Sequence, residues 1–226
     1  MRDKQNCKCI TKGSYCMNNR AFRGLYSLTE WITKFAYLNI LWIGFTLMGL
    51  VVIGFLPATV SLFTILRKWI MGDYEIPILQ TFWTTYKREL LKSNLLGGVF
   101  ALLAGVVYLD LHFMSLTGTN EFQVTHIPLY LMILIIVMTV LYTIPVYVHY
   151  NAGLAQVFKN AFLIMLLNPV SNILLLAGVI AALFVMDALP ALLFIFGGSF
   201  TAAIIMSACY LAFQRIDKKQ KESQTA

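Results

Sequence analysis

Three cysteines near the start of the chain form its densest group of possible metal ligands. Cys7, Cys9 and Cys16 lie close together in a polar stretch, whereas Cys209 lies in an apolar run near the other end. A structural zinc site takes four ligands, commonly in closely spaced pairs, and this group lacks both a fourth ligand and a paired spacing. Because the polar stretch is predicted to face the reducing cytoplasm, we expect free thiols.

A second possible metal site combines Asp110, His112 and His126, which lie near the ends of two apolar runs. Side chains two residues apart on a helix do not face the same direction, so Asp110 and His112 are poorly placed to share one ion. Polar residues at a membrane interface are the simpler interpretation. We therefore predict no bound metal.

The remaining polar residues do not form a catalytic motif. The sequence contains no GxSxG, HExxH, Walker or CxxC pattern. Asn39 and His149 are single polar residues within or beside apolar runs, where a hydrogen bond between helices is the commoner role. Charged residues deep in a membrane span mark transport or catalytic paths, and this sequence has almost none. We therefore expect no enzymatic activity and no cofactor.

The composition is that of an integral membrane protein. Of the 226 residues, 59% are hydrophobic and 12% are charged, with a mean hydropathy of +0.76, whereas soluble domains are roughly 25% charged. Apolar runs of helix length predict an all-α polytopic transmembrane bundle rather than a β-barrel. The net charge of +7 is spread along the membrane flanks without a recognition motif, so it predicts membrane orientation rather than nucleic-acid binding.

One long uncharged run organises the predicted topology. Phe35 to Leu66 contains no charged residue and is interrupted by Pro57. Proline suits the first turn of a helix and disrupts its middle. We therefore predict a full span from about Thr33 to Gly54, a tight reversal, and a short second helix that begins at Pro57.

The rest of the chain alternates between predicted spans and helices at the membrane surface. After the short helix, apolar residues from Leu79 to Leu90 recur at helical spacing, with basic residues on the other side, so we predict a cytoplasmic interfacial helix there. A further amphipathic helix is predicted from Ala152 to Leu167. The remaining predicted spans are 93–114, 127–148, 170–186 and 188–213. In domain terms, we predict a dispensable polar leader (1–16), one transmembrane domain (17–213) and a basic cytoplasmic tail (214–226).

The basic residues favour one orientation. Positive charges near spans favour the cytoplasm. If the Pro57 helix crosses the membrane, there are six crossings, both termini are inside, and all 17 Lys and Arg residues lie on the inner side. If it does not cross, seven lie inside and ten outside. The six-crossing arrangement is therefore the prediction, with Arg67 and Lys68 extending along the short helix towards the interface.

Several short strings of residues together form a recognisable pattern. They are Arg23-Gly24-Leu25-Tyr26, Glu30-Trp31-Ile32, Ala36-Tyr37-Leu38-Asn39, Leu41-Trp42, Pro57-Ala58-Thr59, Arg67-Lys68-Trp69 and Phe82-Trp83-x-x-Tyr86-Lys87. This pattern resembles the YesL family (domain of unknown function 624), over about Met17 to Phe213. The resemblance implies a bacterial multi-pass membrane protein, mostly of Gram-positive species, without an established activity or agreed catalytic residues. It also implies a frequent genetic association with sugar ABC-transporter components.

Together these observations predict a non-catalytic protein of the bacterial plasma membrane. Its expected partners are the lipid bilayer and permease subunits of sugar ABC transporters, and its expected role is to assist carbohydrate uptake. The alternative is a small stand-alone transporter with a discontinuous helix at Pro57. The residues that we expect to contribute to function or to partner contact are Asn39, Pro57, Thr59, Arg67, Lys68, Phe82, Trp83, Lys87 and Arg88.

Overall fold

The protein is an all-α bundle in the computed structural model, which describes residues 20–116, 127–150 and 153–224. No strand occurs within these ranges, so the predicted fold class is confirmed. The predicted leader (1–16) and His126 lie outside them. The seven helices are α1 (Arg20–Met48), α2 (Val52–Ile70), α3 (Ile78–Leu116), α4 (Ile127–His149), α5 (Leu154–Leu167), α6 (Pro169–Ala188) and α7 (Pro190–Gln224).

Within the described ranges, six helices are long and apolar enough to cross a membrane. The remaining helix, α5, has 14 residues and falls short of the roughly 20 that a bilayer core requires. The chain is therefore a polytopic membrane protein. The six candidate spans are Tyr26–Met48, Val52–Ile70, Ile78–Phe113, Ile127–His149, Pro169–Ala188 and Phe194–Ile216.

Residues 1–34 and 35–226 form two separate compact units. In the described part of the first unit, Lys34 pairs with Glu30 at 2.7 Å and its ammonium lies 5.5 Å from the Trp31 ring centroid. The second unit contains all the packing described below. Within it, α2 is the most enclosed of the candidate spans and packs against α3, α4 and α7.

The reversal between the first two helices lies earlier than predicted. Helix α1 ends at Met48 and α2 begins at Val52, so both the predicted span end at Gly54 and the predicted helix start at Pro57 are wrong. With 19 residues, α2 is about 28 Å long at the helical rise. It therefore has the length of a span, and the short second helix predicted to begin at Pro57 does not occur.

The turn itself has a backbone conformation that its residue types do not predict. The amides of Leu50 and Val51 donate to the carbonyls of Leu47 and Thr46, the pattern of a Schellman helix ending. Leu50 and Val51 both have positive φ, at 57° and 61°, although glycine is the usual residue in such a conformation. A turn predicted from glycine and proline therefore falls at Gly54 and Pro57 instead.

Pro57 is tolerated inside α2 because a neighbouring helix replaces the hydrogen bond that it removes. Proline has no N–H, so the Ile53 carbonyl four residues earlier loses its helical partner. The Asn94 side-chain amide of α3 donates to that carbonyl at 3.2 Å. Such replacement by an adjacent helix is how membrane helices accommodate proline. Asn94 was recognised in the sequence only as the start of a span.

The predicted interfacial helix and the span after it form one continuous helix, α3, of 39 residues. The prediction of two separate elements is therefore wrong. Neither glycine nor proline occurs between Ile78 and Leu96, and only those residues strongly interrupt a helix. The change from an amphipathic to an apolar surface therefore occurs within one helix.

Candidate functional site

Asn39 holds α1 against α7 through three hydrogen bonds. Its amide nitrogen donates to the Phe194 carbonyl at 2.8 Å, and its oxygen accepts from the amides of Gly198 and Ser199, each at 3.1 Å. In an uninterrupted helix the Gly198 amide would donate to the Phe194 carbonyl, four residues earlier. Asn39 supplies a partner to both of these groups. Asn39 is only 1% exposed, so its side chain is fully used in helix packing.

Trp42 makes the neighbouring contact of α1. Its indole nitrogen donates to the Thr59 hydroxyl at 3.1 Å, and that hydroxyl donates to the Phe55 carbonyl. A Cβ atom at Gly198 would lie 2.8 Å from the Trp42 ring, which explains why the smallest residue lies there. Thr59 therefore joins α1 to α2.

Glu89 is the buried carboxylate of the bundle. It is 7% exposed and is the charged residue among the buried side chains of the described ranges. The Tyr147 hydroxyl of α4 donates to one carboxylate oxygen, and the Arg88 guanidinium donates to the other at 2.9 Å. A charged group in a membrane segment requires such partners and commonly marks a functional position.

The sequence contained a pattern that predicts the burial of Glu89. Phe82 and Tyr86 lie on the apolar stripe of α3, and Glu89 follows them at i+7 and i+3, on the same face. All three are buried, as is Ser93 on the next turn. Its partner Tyr147 lies on another helix and could not be inferred from this pattern.

An aromatic cluster surrounds this part of α3. The Phe45 ring of α1 lies 5.0 Å from Phe82, 5.4 Å from Trp83 and 5.2 Å from Tyr86, centroid to centroid. The Tyr86 hydroxyl donates to the Phe45 carbonyl at 3.2 Å. Aromatic pairs at these separations are attractive beyond their buried area. They hold α1 and α3 in a fixed register beside Glu89.

The predicted functional residues divide into three groups. Asn39, Pro57 and Phe82 are buried, so they have no surface for an external partner; Thr59, Arg67 and Lys68 are half-buried; and Trp83, Lys87 and Arg88 are exposed. The structure brings Phe82 and Trp83 together with Phe45 and leaves Arg67 and Lys68 at the far end of α2. The nine residues therefore do not form a single site.

The possible metal ligands are not brought together in the described part of the chain, where no group of three His, Cys, Asp or Glu residues has metal-binding geometry. Cys209 is a buried free thiol. His126 and the three N-terminal cysteines lie outside the described residues. His112 makes an edge contact with the Tyr108 ring.

The arrangement around Glu89 can hold a negative charge between two membrane helices. Tyr147 and Arg88 both donate to it, so each carboxylate oxygen has a hydrogen-bond partner. The Arg88 side chain is 67% exposed and links the buried carboxylate to the surface. The site therefore couples an exposed basic face of α3 to the packing of α4.

Comparison with known proteins agrees with the resemblance seen in the sequence. The DUF624 family, described as proteins of unknown function, matches residues 35–111. Three Bacillus subtilis (strain 168) proteins are similar. "Uncharacterized protein YteU" is 34% identical over 86% of this chain and 87% of its own length. "Uncharacterized protein YesL" is 31% identical over 90% of this chain and 96% of its own length, and "Uncharacterized protein YesV" is 32% identical over 88% of this chain and 96% of its own length. No solved structure matches significantly. The chain therefore belongs to the DUF624 family of YesL-like membrane proteins.

Proposed function

We propose that this protein is a non-catalytic membrane component that assists carbohydrate uptake by binding a permease subunit of an ABC-type transporter. The observation that carries the proposal is the exposed basic face of α3, formed by Lys87, Arg88 and Lys92. This face projects from a helix that is fixed by the aromatic cluster and by Glu89. It therefore offers a rigid, charged surface to a partner. The link to carbohydrate uptake comes from the resemblance to the YesL family.

The polar groups inside the bundle support a binding role rather than catalysis. Asn39 and Asn94 satisfy backbone groups of adjacent helices, and Glu89 is held by Tyr147 and Arg88. These side chains are used in helix packing. A catalytic site would need a reactive group directed at a space where substrate can lie.

The alternative of a stand-alone transporter was based on a discontinuous helix at Pro57. Interrupted helices line the binding sites of several transporters. Helix α2 is continuous from Val52 to Ile70 and includes Pro57. The proposed function is therefore binding to a transporter rather than transport.

The partner surface can be tested by reversing Lys87 and Lys92 together. Both are exposed, and exposed charges contribute little to stability, so Lys87→Glu with Lys92→Glu should fold and insert normally. Arg88 is left unchanged because its reversal would place a second carboxylate beside Glu89. We expect the double variant to lose co-purification with the sugar permease subunits from native membranes, measured by quantitative mass spectrometry.

Lys159→Glu is the matched control, since Lys159 is also exposed but lies on α5. It should keep the permease subunits bound. Unchanged recovery of these subunits with the double variant would refute this surface. Uptake of a sugar into liposomes by the purified wild-type protein alone would refute the accessory role and establish transport.

We propose further that the protein lies in the bacterial plasma membrane with both termini in the cytoplasm, as the distribution of basic residues favours. Leu50 is 80% exposed in the α1–α2 turn and suits a labelling test. In a cysteine-free background, Leu50→Cys should react with an impermeant thiol reagent from outside, and Ser223→Cys only after lysis. Labelling of Leu50→Cys from the inside alone would show that the α1–α2 pair does not cross.

A further inference from the structure

An apolar groove of about 770 Å³ lies between α1 and the beginning of α3. Phe45 and Met48 line it from α1, and Pro77, Leu79 and Trp83 line it from the other side. The volume is within the range of sites for small molecules. The lining is dominated by aliphatic and aromatic carbon, and its polar side-chain groups are the Tyr37 hydroxyl, the Gln80 amide and the Trp83 indole N–H.

This lining suits a hydrocarbon chain and not a carbohydrate or an extended peptide. Sugar hydroxyls and peptide amides lose their hydrogen bonds to water on burial, and each unpaired group costs free energy. Three polar side chains cannot replace all of those bonds. An acyl chain carries no such groups, and it gains from leaving water or from close packing against the lining.

One end of the groove carries a positive charge. The Lys87 ammonium lies 4.1 Å from the centroid of the Trp83 ring, and Trp83 lines the groove. A cation over an aromatic face is held there by the ring quadrupole. Neither ion pair in the described residues includes Lys87, so its charge is available to a phosphate.

We propose that the groove binds an anionic phospholipid, with an acyl chain between α1 and α3 and the headgroup phosphate at Lys87. Leu79, Trp83 and Lys87 follow one another at four-residue spacing, so they form one continuous stripe along α3. The acyl chain and the headgroup phosphate would therefore contact successive parts of the same face of α3. Lys87 also belongs to the face proposed to bind the permease, but this proposal concerns the purified chain and lipid alone, so either proposal can fail while the other holds.

Native mass spectrometry of the full-length protein in detergent tests the proposal. Dioleoyl-phosphatidylglycerol and dioleoyl-phosphatidylcholine are added separately at equal concentration, and occupancy by the first bound lipid is measured. We expect phosphatidylglycerol to bind about fivefold more tightly, the usual contribution of one basic residue to an anionic lipid. Lys87→Gln should abolish this preference, whereas Lys159→Gln should keep it.

A second variant tests the groove itself. Met48→Trp fills space beside Phe45 and should lower the occupancy by both lipids; if it does not yield a monodisperse protein, Leu79→Trp replaces it. Glycerol phosphate, which carries the phosphate without chains, should not compete. The proposal is overturned by equal binding of the two lipids to the wild type, by an unchanged preference in Lys87→Gln, by full occupancy in the folded groove variant, or by competition from glycerol phosphate.

Discussion

Asn39 and Glu89 each join two membrane helices, but they do so through different chemical groups. Asn39 of α1 is bound entirely by the backbone of α7. Glu89 of α3 is bound by side chains, Tyr147 from α4 and Arg88 from its own helix. The α7 backbone groups are held in place by their own helix, whereas the Tyr147, Glu89 and Arg88 side chains can change rotamer. The first contact is therefore suited to permanent packing, and the second to a contact that can respond.

The largest effect is expected from Asn39→Leu. This change removes three hydrogen bonds between α1 and α7, although Phe194 and Gly198 can recover their own helical bond. Interhelical hydrogen bonds in membranes contribute about 0.6 kcal/mol each on average, so a loss of about 2 kcal/mol is expected. Reversible unfolding by SDS in mixed micelles measures it. Asn160→Leu on α5, where the native side chain pairs with Gln156, is the control and should change stability far less.

A smaller effect is expected from Asn94→Leu, which leaves the Ile53 carbonyl without its donor. The expected loss is about 1 kcal/mol, in the range measured for single membrane hydrogen bonds. Pro57→Ala restores a backbone N–H for the same carbonyl. In that background Asn94→Leu should therefore have almost no effect. Equal losses with and without Pro57→Ala, in the same SDS titration, would contradict the role assigned to Asn94.

The sequence predicted the class of fold well because hydrophobicity over long runs depends little on neighbours. All predicted long spans correspond to apolar helices, and the amphipathic segment after Pro57 is helical. The boundary at Pro57 failed because proline was treated as a helix start. Its toleration depends on Asn94, which is 37 positions away in the chain and adjacent only in the folded protein.

Close helix contacts were predictable only in part from small residues. Cβ atoms at Gly178 and Gly198 would lie 2.6 Å from Ile204 and 2.8 Å from Trp42, so these two glycines do mark close approaches. Gly105 lies four residues after another small residue, Ala101, but a Cβ atom there would meet open space. Spacing identifies a surface that permits close packing, and the partner helix decides whether it is used. The same limit applies to Asn39, whose hydrogen-bonding role was expected but whose acceptor on α7 was not.

The smallest effect on stability is expected from Glu89→Gln, and it separates the packing role of Glu89 from the role of its charge. Glutamine keeps a carbonyl oxygen that accepts from Tyr147, while the ion pair with the largely exposed Arg88 contributes little in water. We therefore expect a change of about 0.5 kcal/mol or less in the SDS titration. Tyr147→Phe, which keeps the charge and removes its donor, should be the more destabilising of the two because the carboxylate oxygen stays buried without a partner. If Glu89→Gln is as stable as the wild type but loses the permease partner, the charge acts in binding; if it unfolds the protein, Glu89 resembles Asn39 and the contrast between the two contacts fails.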